Sequence, residues 1–462
     1  MNGHTFFLPP DVKPYLPSHH GPLLHAAVGW LGKLTGASVG ELYLIGRTIS
    51  VVSFALTLLL LGWWVRRLGK SWLAIGLLGL LLLGNTKLLG HLVSYRPDHW
   101  VQLISVLCCV LVTEFPKRYW AWALLILLPT PAFLIKPAAG GLTVIVIAAM
   151  LLQKQWRGSI TVGVGAIFVM LLTLGSVAYF SNGMYLKTML NGLNMPLGLA
   201  YVYACLSQPE VWLGALLPLA FVRWAWQGSE RQDKRVRVIW LFWLSELIIA
   251  SICALRSGSN VYYFLNTVTY ASLLLVMYLP LVRVVDCKGP SQKLCTGFGQ
   301  LFCIAALLGL AVTHTQAGWA LLGQPDFEIA DRITRRFEIC RPEVARWINQ
   351  EKLICYSDDA SLNVLLDQAQ VMSPLVHTTL IQGGELPLST MLDPVTQQEY
   401  DVMVMTGMTW SYLGMMIPPK DLLDTTLAQY RMLPRRSDSD YVYFVRRRGL
   451  VITVPPIFVA QP

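Results

Sequence analysis

Charged residues are scarce in this chain, and several motifs of soluble proteins are missing. Asp, Glu, Lys and Arg make up 13% of the 462 residues and 55% are hydrophobic, whereas an ordinary soluble domain carries about 25% charged residues. There is no glycine-rich nucleotide motif after a strand, no P-loop and no CxxC or His/Cys metal spacing. No basic stripe with interleaved aromatic residues occurs, which argues against a nucleic-acid partner. The composition indicates a membrane protein with a more polar part attached.

The charge balance changes near residue 317. Residues 1–316 hold 23 Lys or Arg and 9 Asp or Glu, whereas residues 317–462 hold 13 and 17. The first part is basic and apolar, and the second is mildly acidic and more polar. We therefore predict a membrane region followed by a smaller domain of different character.

Apolar runs in the first part approach the length of about 20 residues that crosses a bilayer as a helix. They lie at 47–65, 72–91, 100–115, 120–136, 138–153, 159–180, 205–226, 238–255, 262–282 and 297–316. The runs 120–136 and 138–153 are short, and Pro129, Pro131 and Pro137 interrupt them. We interpret these two as tilted or broken helices, tolerated where neighbouring helices satisfy the freed backbone groups. The fold class predicted is a polytopic α-helical membrane protein with about ten transmembrane helices.

Basic residues alternate between the two sides of this predicted bundle. One set of connections carries 15 of them: Arg66, Arg67, Lys70, Lys117, Arg118, Lys154, Arg157, Arg223, Arg231, Lys234, Arg235, Arg237, Arg283, Lys288 and Lys293. The Lys/Arg bias places these connections in the cytoplasm. The chain is thus predicted to be a multi-pass protein of the inner (plasma) membrane. Its N-terminal segment, the loops at 94–100 and 181–204, and its C-terminal domain would lie outside.

The predicted domain organisation follows these patterns. An outer segment at 1–46 contains a short interfacial helix at 21–36, the transmembrane helices occupy 47–316, and connecting helices occupy 317–350. Residues 351–448 alternate short strands and helices, which predicts a small α/β extracytoplasmic domain. Strands are expected at 353–357, 370–375, 401–406 and 440–448, with helices at 359–368 and 419–430. An apolar tail at 449–462 follows.

A charged island, "SYRPDHW" at 94–100, interrupts the apolar runs. Because a charge in hydrocarbon costs several kcal/mol, Arg96 and Asp98 are expected at the outer interface or in a wet cavity. The predicted topology brings further polar residues to the same face: Lys136, Arg256, Asn260 and His20. Arg and Lys can clamp a phosphate, and a carboxylate can accept a proton or hold a divalent cation.

Structural interpretations of these residues stay open at this point. Arg96 and Asp98 could form only a local ion pair in a loop, worth under about 1 kcal/mol. Lys136 could be an interface anchor whose stem is buried and whose charge reaches water. Glu246 lies inside the run 238–255 and is either a functional intramembrane carboxylate or one member of a structural ion pair with a loop arginine.

Four stretches resemble membrane glycosyltransferases of the GT-C class, the relatives of protein O-mannosyltransferases and lipid A aminoarabinose transferases. The first is "HHGPLLHAAVGWLGKLTGAS" with the following "GRTISVVS", which is similar to an early stretch of these enzymes. "YRPDHWVQLISVLCCVL" is similar to their Arg-x-Asp loop opening a helix. "FLIKPAAGGLTVIVIAAMLL" resembles their Lys-bearing turn, and "GSNVYYFLNTVTYASLL" resembles a bacterial motif before a late helix. The resemblance covers most of residues 15–285 in pattern.

The resemblance implies transfer of a sugar from a polyprenyl-phosphate donor to a lipid, glycan or protein acceptor at the outer membrane face. Asp98 and Arg96 would line the active cavity as catalytic residues, and Lys136 would approach the donor phosphate. Asn260 and Tyr263 would line the cavity from the opposite side. Phosphate is a good leaving group, so the site needs an acceptor base and a charge clamp.

Two departures from the family pattern are present. The first helix of the family and the acidic motif in its first outer loop have no counterpart here, and Asn266 stands where the late motif has Glu. The expectation is an N-terminally truncated chain or a divergent, inactive member. The alternative is a non-catalytic transporter component or an assembly protein whose outer domain binds a partner.

Overall fold

A computed structural model describes the chain at residues 22–37, 39–83, 97–183, 197–208, 234–255, 261–278, 343–357, 387–406, 419–433 and 441–447, with a few isolated positions such as Asn85 and Val211. The chain divides into two compact units. The larger comprises His20–Gly175 and Leu197–Gly323, and the smaller comprises Met1–His19, Ser176–Pro196 and Gln324–Pro462.

The larger unit is built from apolar helices. In chain order these are α1 (Pro22–Thr35), α2 (Val39–Arg67), α3 (Trp72–Leu83), α4 (Asp98–Glu114), α5 (Tyr119–Leu127), α6 (Pro129–Ile135), α7 (Leu142–Leu152), α8 (Trp156–Phe180), α9 (Leu199–Leu206), α10 (Lys234–Ala254) and α11 (Leu265–Tyr278). Short 3₁₀ turns at Pro137–Gly141 and Val261–Phe264 precede α7 and α11.

Three helices in the described part of the chain are long and apolar enough to cross a bilayer. They are Leu44–Arg67, Trp156–Phe180 and Lys234–Ala254, of 24, 25 and 21 residues. The predicted runs at 205–226 and 297–316 lie mostly or wholly outside the described residues. The fold class is therefore a helical membrane protein, and the total of about ten spans stays a prediction.

Helix α4 occupies the centre of the larger unit. It packs against α2, α6, α7, α10 and α11, and its residues from Cys108 to Val112 are almost completely buried. A helical stretch that is apolar on every side, such as Cys108 to Val112, is the form expected inside a bundle. The central position brings both ends of α4 against the ends of several other helices.

Two of the three prolines that were predicted to interrupt the segment between α5 and α7 lie at helix boundaries, whereas Pro131 lies inside α6. Pro129 begins α6 directly after α5, and Pro137 begins the 3₁₀ turn directly after Lys136. Proline lacks a backbone N–H and disfavours the helical conformation in the residue before it. Lys136 accordingly has extended backbone angles, φ −145° and ψ 110°. The backbone N–H of Lys136 still donates to the carbonyl oxygen of Ala132 at 2.9 Å, so Lys136 caps α6 and the chain changes direction there, at the point where the site forms.

Small residues on α8 allow it to approach the helices beside it. A Cβ atom at Gly158 would lie 2.6 Å from Met150 and 2.8 Å from Trp122. The opposite face of α8 exposes large apolar residues such as Ile160, Val164 and Phe168. Close approach at small residues is a common way for helices to pack in a bilayer, where the remaining face contacts lipid.

The smaller unit contains a four-stranded sheet. Its strands are β1 (Cys355–Ser357), β2 (Val402–Thr406), β3 (Tyr430–Met432) and β4 (Tyr441–Arg446), in the spatial order β1-β2-β4-β3. β1 runs parallel to β2, and the other two pairs are antiparallel. Helix α12 (Ser389–Thr396), helix α13 (Pro419–Gln429) and helical residues 343–351 accompany the sheet.

Both faces of this sheet are buried. Val402 and Val404 of β2 pack on one face with Trp347, while Met403 and Met405 pack on the other face with Leu422. Successive side chains of a strand point to opposite faces, so a strand covered on both sides is continuously apolar. The predicted strands at 353–357, 401–406 and 440–448 are present, and so is the helix at 419–430. β3 and α12 were not predicted, and the weaker strand at 370–375 lies outside the described residues.

Candidate active site

Asp98 opens α4. Pro97 occupies the N-cap position, and the N–H groups of Trp100 and Val101 donate to its carbonyl oxygen at 3.1 and 3.3 Å. The residue is only 4% exposed. A carboxylate in the first turn is stabilised by the positive end of the helix dipole. The sequence thus places a buried negative charge where α4 itself favours it.

Lys136 lies directly opposite, at the break between α6 and the 3₁₀ turn. Its Nζ atom donates to Oδ1 of Asp98 at 2.5 Å. The side chains are 15% and 3% exposed, so the ion pair is shielded but its lysine side still reaches the surface. A cation at the C-terminus of α6 also interacts favourably with that helix dipole. Two helix ends of opposite polarity therefore present the two charges to each other.

Two aromatic rings cover the lysine. Its Nζ atom lies 4.4 Å from the ring centroid of Tyr263 and 4.8 Å from that of Tyr262. Both tyrosines belong to the 3₁₀ turn that begins α11. A cation over an aromatic face gains about 0.5–2 kcal/mol, the larger value when it is desolvated. The ammonium group contacts one carboxylate and two rings. A phosphate oxygen could bind this ammonium group beside the carboxylate or in its place.

The structure brings together three of the predicted site residues, Asp98, Lys136 and Tyr263, from widely separated parts of the chain. Arg96, Asn260, Arg256 and His20 lie outside the described residues. Tyr262 was not predicted, although it stands in the same "NVYYF" stretch as Tyr263. The adjacent pair of tyrosines in a short turn was the available signal.

A polar network continues inward from this pair. Gln102 lies one turn below Asp98 on α4 and donates to Thr269 Oγ1 at 2.7 Å, while its Oε1 atom lies 2.9 Å from Nδ1 of His99. Ser105, one turn deeper, lies 2.9 Å from the hydroxyl of Tyr270. Residues 98, 102 and 105 share one face of α4, a spacing that the sequence displayed but the prediction did not use.

Glu246 lies at the inner end of this network. Its Oε1 atom accepts hydrogen bonds from Ser105 Oγ and Asn266 Nδ2, each at 3.0 Å. Among the described residues it forms no ion pair with an arginine, so these residues do not contain the structural pair that the sequence left open. Nor do the described residues contain a group of three His, Cys, Asp or Glu that could hold a metal ion.

The other end of α4 carries a second carboxylate with a different environment. Oε2 of Glu114 lies 2.6 Å from Arg67 Nε, and Oε1 lies 3.5 Å from Arg235 Nε. Trp64 Nε1 donates to Oε1 at 3.1 Å. Lys70 Nζ donates to the carbonyl oxygen of Met277 at 2.5 Å. Connections that the Lys/Arg bias assigned to one side therefore do meet at one end of the bundle.

No family model and no curated protein sequence matches this chain. Solved structures, in contrast, do match this chain. ArnT from Cupriavidus metallidurans in the apo state matches with a TM-score of 0.54 and 13% sequence identity, covering 92% of this chain and 87% of that one. ArnT is a GT-C glycosyltransferase.

The chain has the GT-C fold.

The same ArnT bound to undecaprenyl phosphate matches with a TM-score of 0.52 and 13% identity, over 96% of this chain and 89% of that one. An Archaeoglobus fulgidus oligosaccharyltransferase with a tethered acceptor peptide has a TM-score of 0.46 and 12% identity, over 97% of this chain and 68% of that one. The similarity in fold to the two ArnT structures agrees with the family resemblance of the sequence motifs.

Proposed function

We propose that this chain is a glycosyltransferase that moves a sugar from a polyprenyl-phosphate donor to a lipid, glycan or protein acceptor. The observation that carries the proposal is the shielded Asp98–Lys136 ion pair beneath Tyr262 and Tyr263, at one end of a bundle with the GT-C fold. The similar ArnT structure with bound undecaprenyl phosphate supports a polyprenyl-phosphate donor.

In the proposed reaction, a hydroxyl of the acceptor attacks the anomeric carbon of the donor sugar. The bond between that carbon and the phosphate oxygen breaks, and its electron pair leaves with the phosphate. Asp98 accepts the hydroxyl proton, and Lys136 stabilises the negative charge that develops on the leaving phosphate. The protein requires no covalent intermediate for this step.

Binding of the donor phosphate to Lys136 would also affect Asp98. Lys136 cannot bond closely to a phosphate and keep its full interaction with Asp98, since one ammonium group then serves two anions. Donor binding would therefore loosen the 2.5 Å contact and release the Asp98 carboxylate to act as a base. We assign Arg96 to the same catalytic end, and Asn260, Tyr263, Arg256 and His20 to substrate binding.

We place the reaction at the outer face of the inner (plasma) membrane, in the cell envelope. The Lys/Arg bias supports this orientation, because Arg67 and Arg235, which belong to two of the basic connections, meet at the end of α4 opposite Asp98. In this arrangement about ten helices within 47–316 span the bilayer and contact membrane lipid. The segment 1–46, the connecting helices at 317–350, the α/β domain at 351–448 and the tail at 449–462 lie outside the cytoplasm.

The test is Lys136→Ala in the full-length chain, purified and supplied with undecaprenyl phosphate, with Lys33→Ala on the exposed end of α1 as the matched control. We expect Lys136→Ala to weaken undecaprenyl phosphate binding at least about tenfold, because a charged hydrogen-bond partner is lost, and Lys33→Ala to leave it unchanged. Equal binding by both variants would remove Lys136 from the donor site. Assaying membranes with a panel of lipid-linked sugars then identifies the donor. Binding without turnover on any donor would favour the non-catalytic carrier or assembly role.

A further inference from the structure

Glu246 is a buried carboxylate that the transfer step does not use. It lies on α10, is 9% exposed and accepts two hydrogen bonds on one oxygen. Its donor Ser105 is seven residues beyond Asp98 on α4, which corresponds to about 10 Å along the helix axis. A carboxylate at this depth is costly to bury, and such groups in membrane helices are typically functional.

The position of Glu246 couples it to Lys136. Helix α10 packs against the 3₁₀ turn that follows Lys136, where a Cβ atom on Gly141 would lie 2.5 Å from Ile249, one turn beyond Glu246. Glu246 and Lys136 interact electrostatically. Solvent screens charges weakly inside a bundle, so two charges on elements that pack together interact without being in direct contact. In the described part of the chain, one ammonium group thus faces two carboxylates, Asp98 in contact and Glu246 at a distance.

We infer that Glu246 is a positioning residue that acts through Lys136 and limits how tightly the site holds the phosphate product. This inference rests on the proposed function. The donor phosphodiester carries one negative charge, whereas the released polyprenyl phosphate monoester carries close to two near neutral pH. The product therefore depends more on the charge of Lys136 than the donor does. Glu246 attracts the same ammonium group and so weakens its hold on the product more than its hold on the donor. Its role is therefore to favour release of polyprenyl phosphate after transfer.

Three isosteric variants of the full-length protein test this inference by measuring the Kd for undecaprenyl phosphate. Glu246→Gln removes the charge and keeps an oxygen for Ser105 and Asn266, so we expect about fivefold to tenfold tighter binding. In Asn266→Asp the new carboxyl group lies about 3.0 Å from that of Glu246, so the two share one proton, the charge at this place stays close to −1 and the Kd should change little. The double variant Glu246→Gln/Asn266→Asp moves the charge from α10 to α11 and should restore a Kd close to that of the unaltered protein.

A purely structural role predicts a different pattern. In that case Glu246→Gln would weaken or leave unchanged the binding of undecaprenyl phosphate, and the double variant would not restore it; either result overturns the inference. Glu114→Gln removes a carboxylate at the other end of α4, about 24 Å along the helix axis from Asp98, and should leave the Kd for undecaprenyl phosphate unchanged. Thermal unfolding of each variant verifies that it is folded.

The same measurements separate this inference from the proposed function. Loss of binding in Lys136→Ala together with no tightening in Glu246→Gln would overturn only the role of Glu246. Undiminished binding in Lys136→Ala would overturn the donor site itself, and the inference with it. Tightening by Glu246→Gln that disappears in the Lys136→Ala background would support both.

Discussion

The two ends of α4 each bury a carboxylate beside a cation, but they are built differently. Asp98 lies at the N-terminus, where the helix dipole favours a negative charge, and it pairs with the ammonium group of a lysine, Lys136. Glu114 lies at the C-terminus, where the dipole opposes a negative charge, and it is held by Arg67, Arg235 and Trp64. The first arrangement can exchange a partner, while the second holds its carboxylate through several groups at once.

The choice of cation strengthens this difference. Lysine presents a compact, mobile charge that can move to a new anion, whereas arginine offers a planar set of donors suited to fixed pairing. Lys136 is 15% exposed and lies over two tyrosine rings, whereas the Glu114 side chain is 1% exposed behind its arginines. We conclude that the Asp98 end is suited to ligand exchange and the Glu114 end to holding α2, α4 and α10 together.

Cysteine labelling tests whether the two ends of α4 face opposite sides of the membrane. Its expected result is all-or-none and therefore the largest effect predicted here. Single cysteines at Asn260 and at the exposed Lys117 are introduced after reactive native cysteines are replaced by serine. A membrane-impermeant maleimide should label Asn260→Cys in intact cells and Lys117→Cys only after the cells are opened. Labelling of both positions from the same side would contradict the comparison and the orientation proposed for the site.

Asp98→Asn should give the next largest effect. Removing the proposed base is expected to lower the rate of sugar transfer by about 10²–10⁴-fold. Because Lys136 loses a competing anion, undecaprenyl phosphate binding should be retained or tightened. Turnover and Kd are measured on the same purified protein, with thermal unfolding to verify that it is folded. Retained turnover would remove Asp98 from the proposed mechanism.

Glu114→Gln tests whether the C-terminal end of α4 contributes to stability and not to transfer. The side chain keeps its shape and an acceptor for Trp64 but loses its ion pairs with Arg67 and Arg235, which are 48% and 41% exposed. We expect the free energy of unfolding to fall by about 1–2 kcal/mol, since one partner is buried and the others are partly solvated. Transfer activity per folded molecule should not change. A large loss of activity without loss of stability would show that this end has a functional role.

Substitution of Tyr263 should give the smallest effect, measured on the binding of undecaprenyl phosphate. Tyr263→Phe keeps the ring over Lys136 and should change undecaprenyl phosphate binding little. Tyr263→Leu removes the cation–π contact, worth about 1 kcal/mol, and should change Kd roughly fivefold. Titration of both variants with undecaprenyl phosphate checks the difference. Equal behaviour of the two would mean that the ring contributes only its volume.

Local chemistry made much of the fold predictable. Continuous apolar runs identified α2, α8 and α10, and prolines at 129 and 137 located the breaks on either side of α6. The strand 401–406 was recognisable because a strand buried on both faces is apolar throughout. β3 was missed because its three residues follow α13 without any turn signal, and only pairing with β4 makes them a strand.

The sequence alone determined the membrane class, the helical breaks and the candidates Asp98 and Lys136, because hydropathy and backbone restriction act over short distances along the chain. Tyr263 became a candidate only through the resemblance to a known family. Tertiary structure decided which of them meet. Residues 98, 136 and 263 converge only when α4, α6 and α11 pack together, and Tyr262, Ser105 and Asn266 acquire partners by the same packing. A sequence shows charges one at a time, while the distances between them arise from the folding of distant helices into one low-dielectric interior.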